Sequence, residues 1–165
     1  IEDGTVVFLL SKPISRTKVL VVKATVAALA TAVLAVPATV ATTWIITGTA
    51  GRGGLVAGLG LAALIASIVY SALFVMLSTV TSRALVIGLL YVFVWEGILG
   101  GLFSGLAWLS VRQQAIGWAD ALVSLPNFTA DLPFAGAVVA SAVFVGLALL
   151  IGSRRLAAFE IGERA

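Results

Sequence analysis

The chain has 165 residues, 61% of them hydrophobic and 10% charged, with a net charge of +3 and neither cysteine nor histidine. A soluble domain carries roughly 25% charged residues, so this composition excludes a water-soluble globule. The absence of Cys and His excludes disulfide scaffolds, thiolate zinc sites and thiol or imidazole catalysis, and the modest positive charge reads as basic residues flanking membrane spans rather than a nucleic-acid surface.

The opening segment, Glu2 to Lys23, reads EDGTVVFLLSKPISRTKVLVVK. Glu2 and Asp3 supply capping charge for a helix over Gly4 to Ser11, whose Val6, Val7, Phe8, Leu9 and Leu10 are apolar enough to lie against a membrane or other helices. Pro13 stops that helix, because the residue before a proline disfavours the helical region. Ser15 caps the next helix, and Arg16, Lys18 and Lys23 hold its start at the lipid headgroups. A polar, proline-broken segment on the basic side of a membrane is a place for a soluble partner to dock.

Four hydrophobic spans come next, at about 19–46, 55–80, 84–109 and 134–152, each meeting the roughly 20 residues needed to cross about 30 Å of hydrocarbon. The fold class expected is therefore all-α, a polytopic integral membrane protein with four transmembrane helices. It divides into an N-terminal cytoplasmic segment 1–18, a transmembrane domain 19–152 and a cytoplasmic tail 153–165. In the first span Pro37 removes a backbone hydrogen bond and predicts a kink usable as a hinge, with Thr39, Thr42 and Thr43 near enough to satisfy the freed carbonyl. Tight turns at 48–54 (GTAGRGG) and at Thr81-Ser82-Arg83 make the first three spans antiparallel neighbours.

The third span carries two features. Gly97, Gly101 and Gly105 recur four apart, as do Gly54 and Gly58 at the head of the second span, and such ladders let helix backbones approach closely in lipid. They pack either this subunit's own helices or, at the third span, a dimer face. Glu96 sits midway along the same span, where a charge costs on the order of 2.5–3.5 kcal/mol. It is either a neutral carboxyl hydrogen-bonded to a neighbouring helix, with Thr25, Thr31, Thr39, Thr42, Ser67, Tyr70, Ser71 and Ser104 available, or a pathway or gating residue.

Between the third and fourth spans lies an external segment, 110–133. Val111, Ala115, Trp118, Ala119 and Leu122 fall on one helical face and Gln113, Gly117, Asp120 and Ser124 on the other, which predicts a short amphipathic helix lying at the outer interface or re-entering it. Asn127-Phe128-Thr129 matches a glycosylation sequon and Gly58-x-Gly60-x-x-Ala63 a dinucleotide fingerprint, but neither stands in the context its chemistry requires. No phosphate loop, paired carboxylates or base-activated nucleophile is visible, so the chain reads as a non-enzyme without a metal or cofactor of its own. Lys12, Arg16, Lys18, Lys23, Arg83, Arg154, Arg155 and Arg164 fall on one side of the membrane against Arg52 and Arg112 on the other, which places both ends in the cytoplasm.

Glu2-x-Gly4-Thr5, Leu9-Leu10-Ser11-x-Pro13-Ile14-Ser15-Arg16 and the later Lys23 resemble the signature of the type-2 permeases of ATP-binding-cassette exporters, and Trp95-Glu96 matches a pair in their penultimate helix. The resemblance implies the C-terminal portion of such a permease, with two further helices expected before Ile1. It also implies that Gly4, Thr5, Leu9, Leu10, Ser11, Pro13, Ile14, Ser15 and Arg16 form a coupling element seated on a nucleotide-binding ATPase. ATP and Mg would be bound by that partner, and a second permease, identical or not, would complete the assembly in a bacterial plasma (inner) membrane. The function so implied is ATP-driven export of an amphiphilic substrate such as a drug or lipid. The alternatives left by the residues are an ion-coupled carrier or channel using Glu96, and a non-transporting membrane scaffold.

Overall fold

The computed structural model describes residues 16–48, 54–99 and 104–162, without the side chains of Arg16, Leu99, Ser104, Leu106 and residues 157–162. The helix expected over Gly4 to Ser11 lies outside the described residues. Among those residues there is no strand. The elements are α1 (Arg16–Thr47), α2 (Leu55–Val80), α3 (Ala84–Leu90) running on as a π-helix (Tyr91–Leu99), a 3-10 helix (Ser104–Leu109), α4 (Val111–Asp120) and α5 (Phe134–Gly162).

Among the described residues three stretches are long and apolar enough to cross a membrane: Thr17–Thr47, Leu55–Val80 and Phe134–Leu156. Of the span expected over 84–109, the described residues show the apolar stretch Ala84–Ile98, which is shorter than the other three, and the 3-10 helix Ser104–Leu109; residues 100–103 lie outside the described residues. At the other end, α5 continues past Gly152 to Gly162, since no proline interrupts it.

α1 runs through Pro37 without a break. Its threonine hydroxyls donate back to carbonyls one turn earlier: Thr25 to Val21, Thr31 to Ala27, Thr39 to Ala35, Thr42 to Ala38, Thr43 to Thr39 and Thr47 to Thr43. Their polarity is therefore absorbed inside the helix, even where the residue faces outward. This corrects the expectation that Thr39, Thr42 and Thr43 relieve the carbonyl freed by Pro37. That carbonyl belongs to Val33, four residues earlier, and each hydroxyl reaches only its own preceding turn. The helix ends at Gly48, whose left-handed φ of 72° lets its N–H close on the Trp44 carbonyl at 3.0 Å.

α2 is the central helix, packed by α1, α4 and α5. Across α1 and α2 the hydroxyls of Thr31 and Ser71 lie 3.3 Å apart. At one end Leu20 of α1 is buried against Gly152 of α5, with Thr79 of α2 alongside. The outward faces of α1 carry Val33, Leu34, Ile45 and Ile46, all strongly exposed, as lipid-facing side chains are.

Candidate functional site

α4 packs along the first half of α2, and two glycines make that approach possible. A Cβ at Gly54, which also has φ 75°, would collide with the Leu122 carbonyl, and one at Gly58 would lie 2.6 Å from Val123 Cγ2 and 3.0 Å from the Ala119 oxygen. Ala62 of α2 then meets Ala115 and Ala119 in a buried cluster flanked by Ala66 and Phe128. In this register the start of α4 lies level with about Ala66, eleven residues into α2. At 1.5 Å per residue that is about 16 Å along a helix of about 39 Å. The N-terminus of α4 therefore points into the middle of the helical layer, and the helix runs from there toward the Gly54 end of α2.

Such an N-terminus leaves backbone N–H groups without acceptors in a place where lipid offers none. Glu96 supplies them. Its Oε1 accepts the N–H of Val111 at 2.7 Å, and its Oε2 accepts the N–H of Arg112 at 3.0 Å and the hydroxyl of Ser110 at 3.4 Å. Ser110 is the helix cap, its Oγ accepting the Gln113 N–H at 3.3 Å. A carboxyl at this position also complements the positive end of the helix. The phenols of Tyr70 and Tyr91 lie beside the same carboxyl, and the Tyr91 hydroxyl donates to the Leu109 carbonyl at 2.8 Å.

The π-helix presents Glu96 to this cap. Its wider turns are found most often as short insertions at functional sites. On the far side α4 is fixed to α5 and the connection before it: Gln113 Nε2 donates to Asp131 in that connection at 2.9 Å, Trp118 Nε1 donates to the Ser141 hydroxyl of α5 at 3.3 Å, and Trp118 meets Phe134 edge-on at 5.3 Å. Gln114 is fully buried, donating to the Trp108 carbonyl at 2.8 Å.

A cavity of about 640 Å³ opens beside this cap. Leu59, Ala62, Ala66, Val92 and Ile116 give it apolar walls, and Thr39, Tyr70, Glu96 and Arg112 are its polar groups. A second cavity of about 330 Å³ lies at the other end of α2, where Lys23 lines it with Ser78, Thr79 and Ser82. Among the described residues no cluster of three His, Cys, Asp or Glu side chains could hold a metal ion.

The structure distributes the residues singled out from sequence unevenly. Gly4, Thr5, Leu9, Leu10, Ser11, Pro13, Ile14 and Ser15 lie outside the described residues, and Arg16 is the first residue of α1. Of the eight hydroxyl residues offered to Glu96, Tyr70 comes beside it and Thr39 reaches the same cavity, whereas Thr25, Thr31, Thr42 and Ser67 bond within their own helices. Thr31 also meets Ser71. Gly97 lines the cavity, and a Cβ there would meet only the Val92 carbonyl at 3.8 Å. A Cβ at Gly105 would meet nothing within 4 Å, and Gly101 lies outside the described residues. A helix, α4, stands in the segment where the sequence predicts one, but Gly117, assigned to its polar face, is buried against Ala137 and the Leu132 carbonyl, while Leu122 is exposed beyond the helix end.

Sequence reasoning misses Arg112 and Ser110 as members of this site. Ser110 carries a findable signal, because Ser-x-x-Gln before a helix is a capping pattern. Arg112 carries no such local mark; only the fold brings it beside Glu96 and Tyr70.

No curated protein and no solved structure matches the chain. A family model described as ABC-2 family transporter protein matches residues 1–130, which takes in α1, α2, the π-helix and α4. The chain belongs to the ABC-2 transporter family.

Proposed function

We propose that this ABC-2 family chain is a membrane-spanning permease subunit of an ATP-driven exporter. A separate ATPase would hydrolyse ATP, and this chain would turn the closure of that partner into rearrangement of its helices to export an amphiphilic substrate. The observation that carries the proposal is the family match running from the motif at Gly4 to Arg16 through α4. Geometry supports it: α1 is continuous from Arg16, where the input would arrive, to Thr39 at the cavity. A rigid helix of that kind transmits displacement over its length, with Pro37 as the candidate hinge. A second permease copy would complete the assembly.

The test is reconstitution of the full transporter with its ATPase into vesicles, and measurement of ATP-dependent movement of a fluorescent amphiphile. ATP-dependent flux abolished by a hydrolysis-deficient ATPase supports export. The rival carrier reading expects flux that needs no ATP, collapses with an ionophore and is lost in Glu96→Gln. An assembly that never carries flux would favour a scaffold.

A further inference from the structure

The 640 Å³ cavity is lined by one carboxyl and one guanidinium, those of Glu96 and Arg112, and the two are engaged differently. Glu96 is only 6% exposed, and its two oxygens are occupied by the donors of Ser110, Val111 and Arg112. Asp131 accepts from Gln113. Arg112 contributes its main-chain N–H to the Glu96 cap, but its side chain lines the cavity and is exposed. Among the described residues nothing hydrogen-bonds or ion-pairs with its guanidinium. A guanidinium with no hydrogen-bonded acceptor, level with the middle of a membrane helix, is costly, and such residues mark ligand pathways.

We propose that this cavity binds an anionic amphiphile, with Arg112 receiving a phosphate, sulfate or carboxylate headgroup and the wall of Leu59, Ala62, Ala66, Val92 and Ile116 receiving the apolar body. A guanidinium forms paired hydrogen bonds to such a headgroup, and the Tyr70 hydroxyl on the same wall adds a polar neighbour. Both oxygens of Glu96 already accept hydrogen bonds from Ser110, Val111 and Arg112, whereas among the described residues the Arg112 guanidinium has its donors free for an anionic headgroup. Binding stands on the cavity alone, and only transport of the bound amphiphile rests on the permease reading.

The test uses the full transporter with its ATPase, purified in detergent, and compares binding of fluorescent phosphatidylglycerol with phosphatidylcholine of the same chains. The wild type should prefer phosphatidylglycerol. Arg112→Gln should weaken that binding roughly tenfold, the scale of one charged hydrogen bond. Arg112→Lys should keep the preference in part. Since Arg112 caps through its main chain, Arg112→Gln leaves the Glu96 cap intact, and unchanged thermal stability of the variant checks this. Glycerol phosphate, which has the headgroup without the chains, should not compete. Equal binding of the two lipids, a preference untouched by Arg112→Gln, or competition by glycerol phosphate as strong as by the lipid would each overturn the proposal. Binding is measured without ATP, so a preference present without ATP-driven flux strikes the exporter reading and leaves this site standing. ATP-driven flux without the preference does the reverse.

Discussion

The Oε1 of Glu96 lies 2.7 Å from the main-chain nitrogen of Val111, fifteen residues further along the chain, and this contact joins the π-helix to the start of α4. Removing the acceptor leaves buried N–H groups behind. Glu96→Ala should cost about 1–3 kcal/mol for each N–H left unpaired. It should appear as a lower midpoint of thermal unfolding in detergent, with Glu96→Gln losing less because one acceptor oxygen remains. A midpoint unchanged in Glu96→Ala would show that the cap carries no stability.

The close approach of α2 and α4 is equally testable. Gly58→Leu drives a side chain into Val123 and the Ala119 carbonyl, and overpacking of this sort typically costs about 1–3 kcal/mol. Gly105→Ala, with nothing within 4 Å of the added Cβ, should change stability by less than about 0.5 kcal/mol. The pair of variants, measured side by side, separates glycines that hold the fold from those that do not.

Orientation can be read by chemical labelling, because the chain has no cysteine of its own. Ser82→Cys, in the exposed turn between α2 and α3, should react with a membrane-impermeant maleimide only from the cytoplasmic side. Thr129→Cys should react only from outside. Labelling of both from the same side would refute the orientation drawn from the lysines and arginines.

Coupling predicts a split phenotype. Arg16→Glu and Leu9→Pro should leave the subunit inserted and the ATPase bound, while ATP hydrolysis continues without matching export. Transport at wild-type rates in both variants would remove Gly4 to Arg16 from the input pathway.

Much of the architecture is legible in the sequence because hydropathy over a long helix is a strong signal. α1, α2 and α5 each begin within a few residues of the expected position. Hydropathy over the third span carries no sign of the π-helix at Tyr91–Leu99, because a change of helical winding leaves the apolar run unaltered. Glu96 stands out as a carboxyl in an apolar run, and the reading of a hydrogen bond to a neighbouring helix finds the right kind of interaction. Its partners are beyond reach, since they are backbone N–H groups that only tertiary packing brings near. The helical face drawn for α4 fails at Gly117 for a related reason: it treats small residues as polar, and here the absence of a side chain is what admits α5.

The tie between Glu96 and α4 bears on how the protein is made. Until Glu96 reaches Ser110, Val111 and Arg112, the buried start of α4 has donors that hydrocarbon cannot satisfy. α4 is therefore not self-sufficient in hydrocarbon, and its stable insertion is expected to depend on Glu96 being in place.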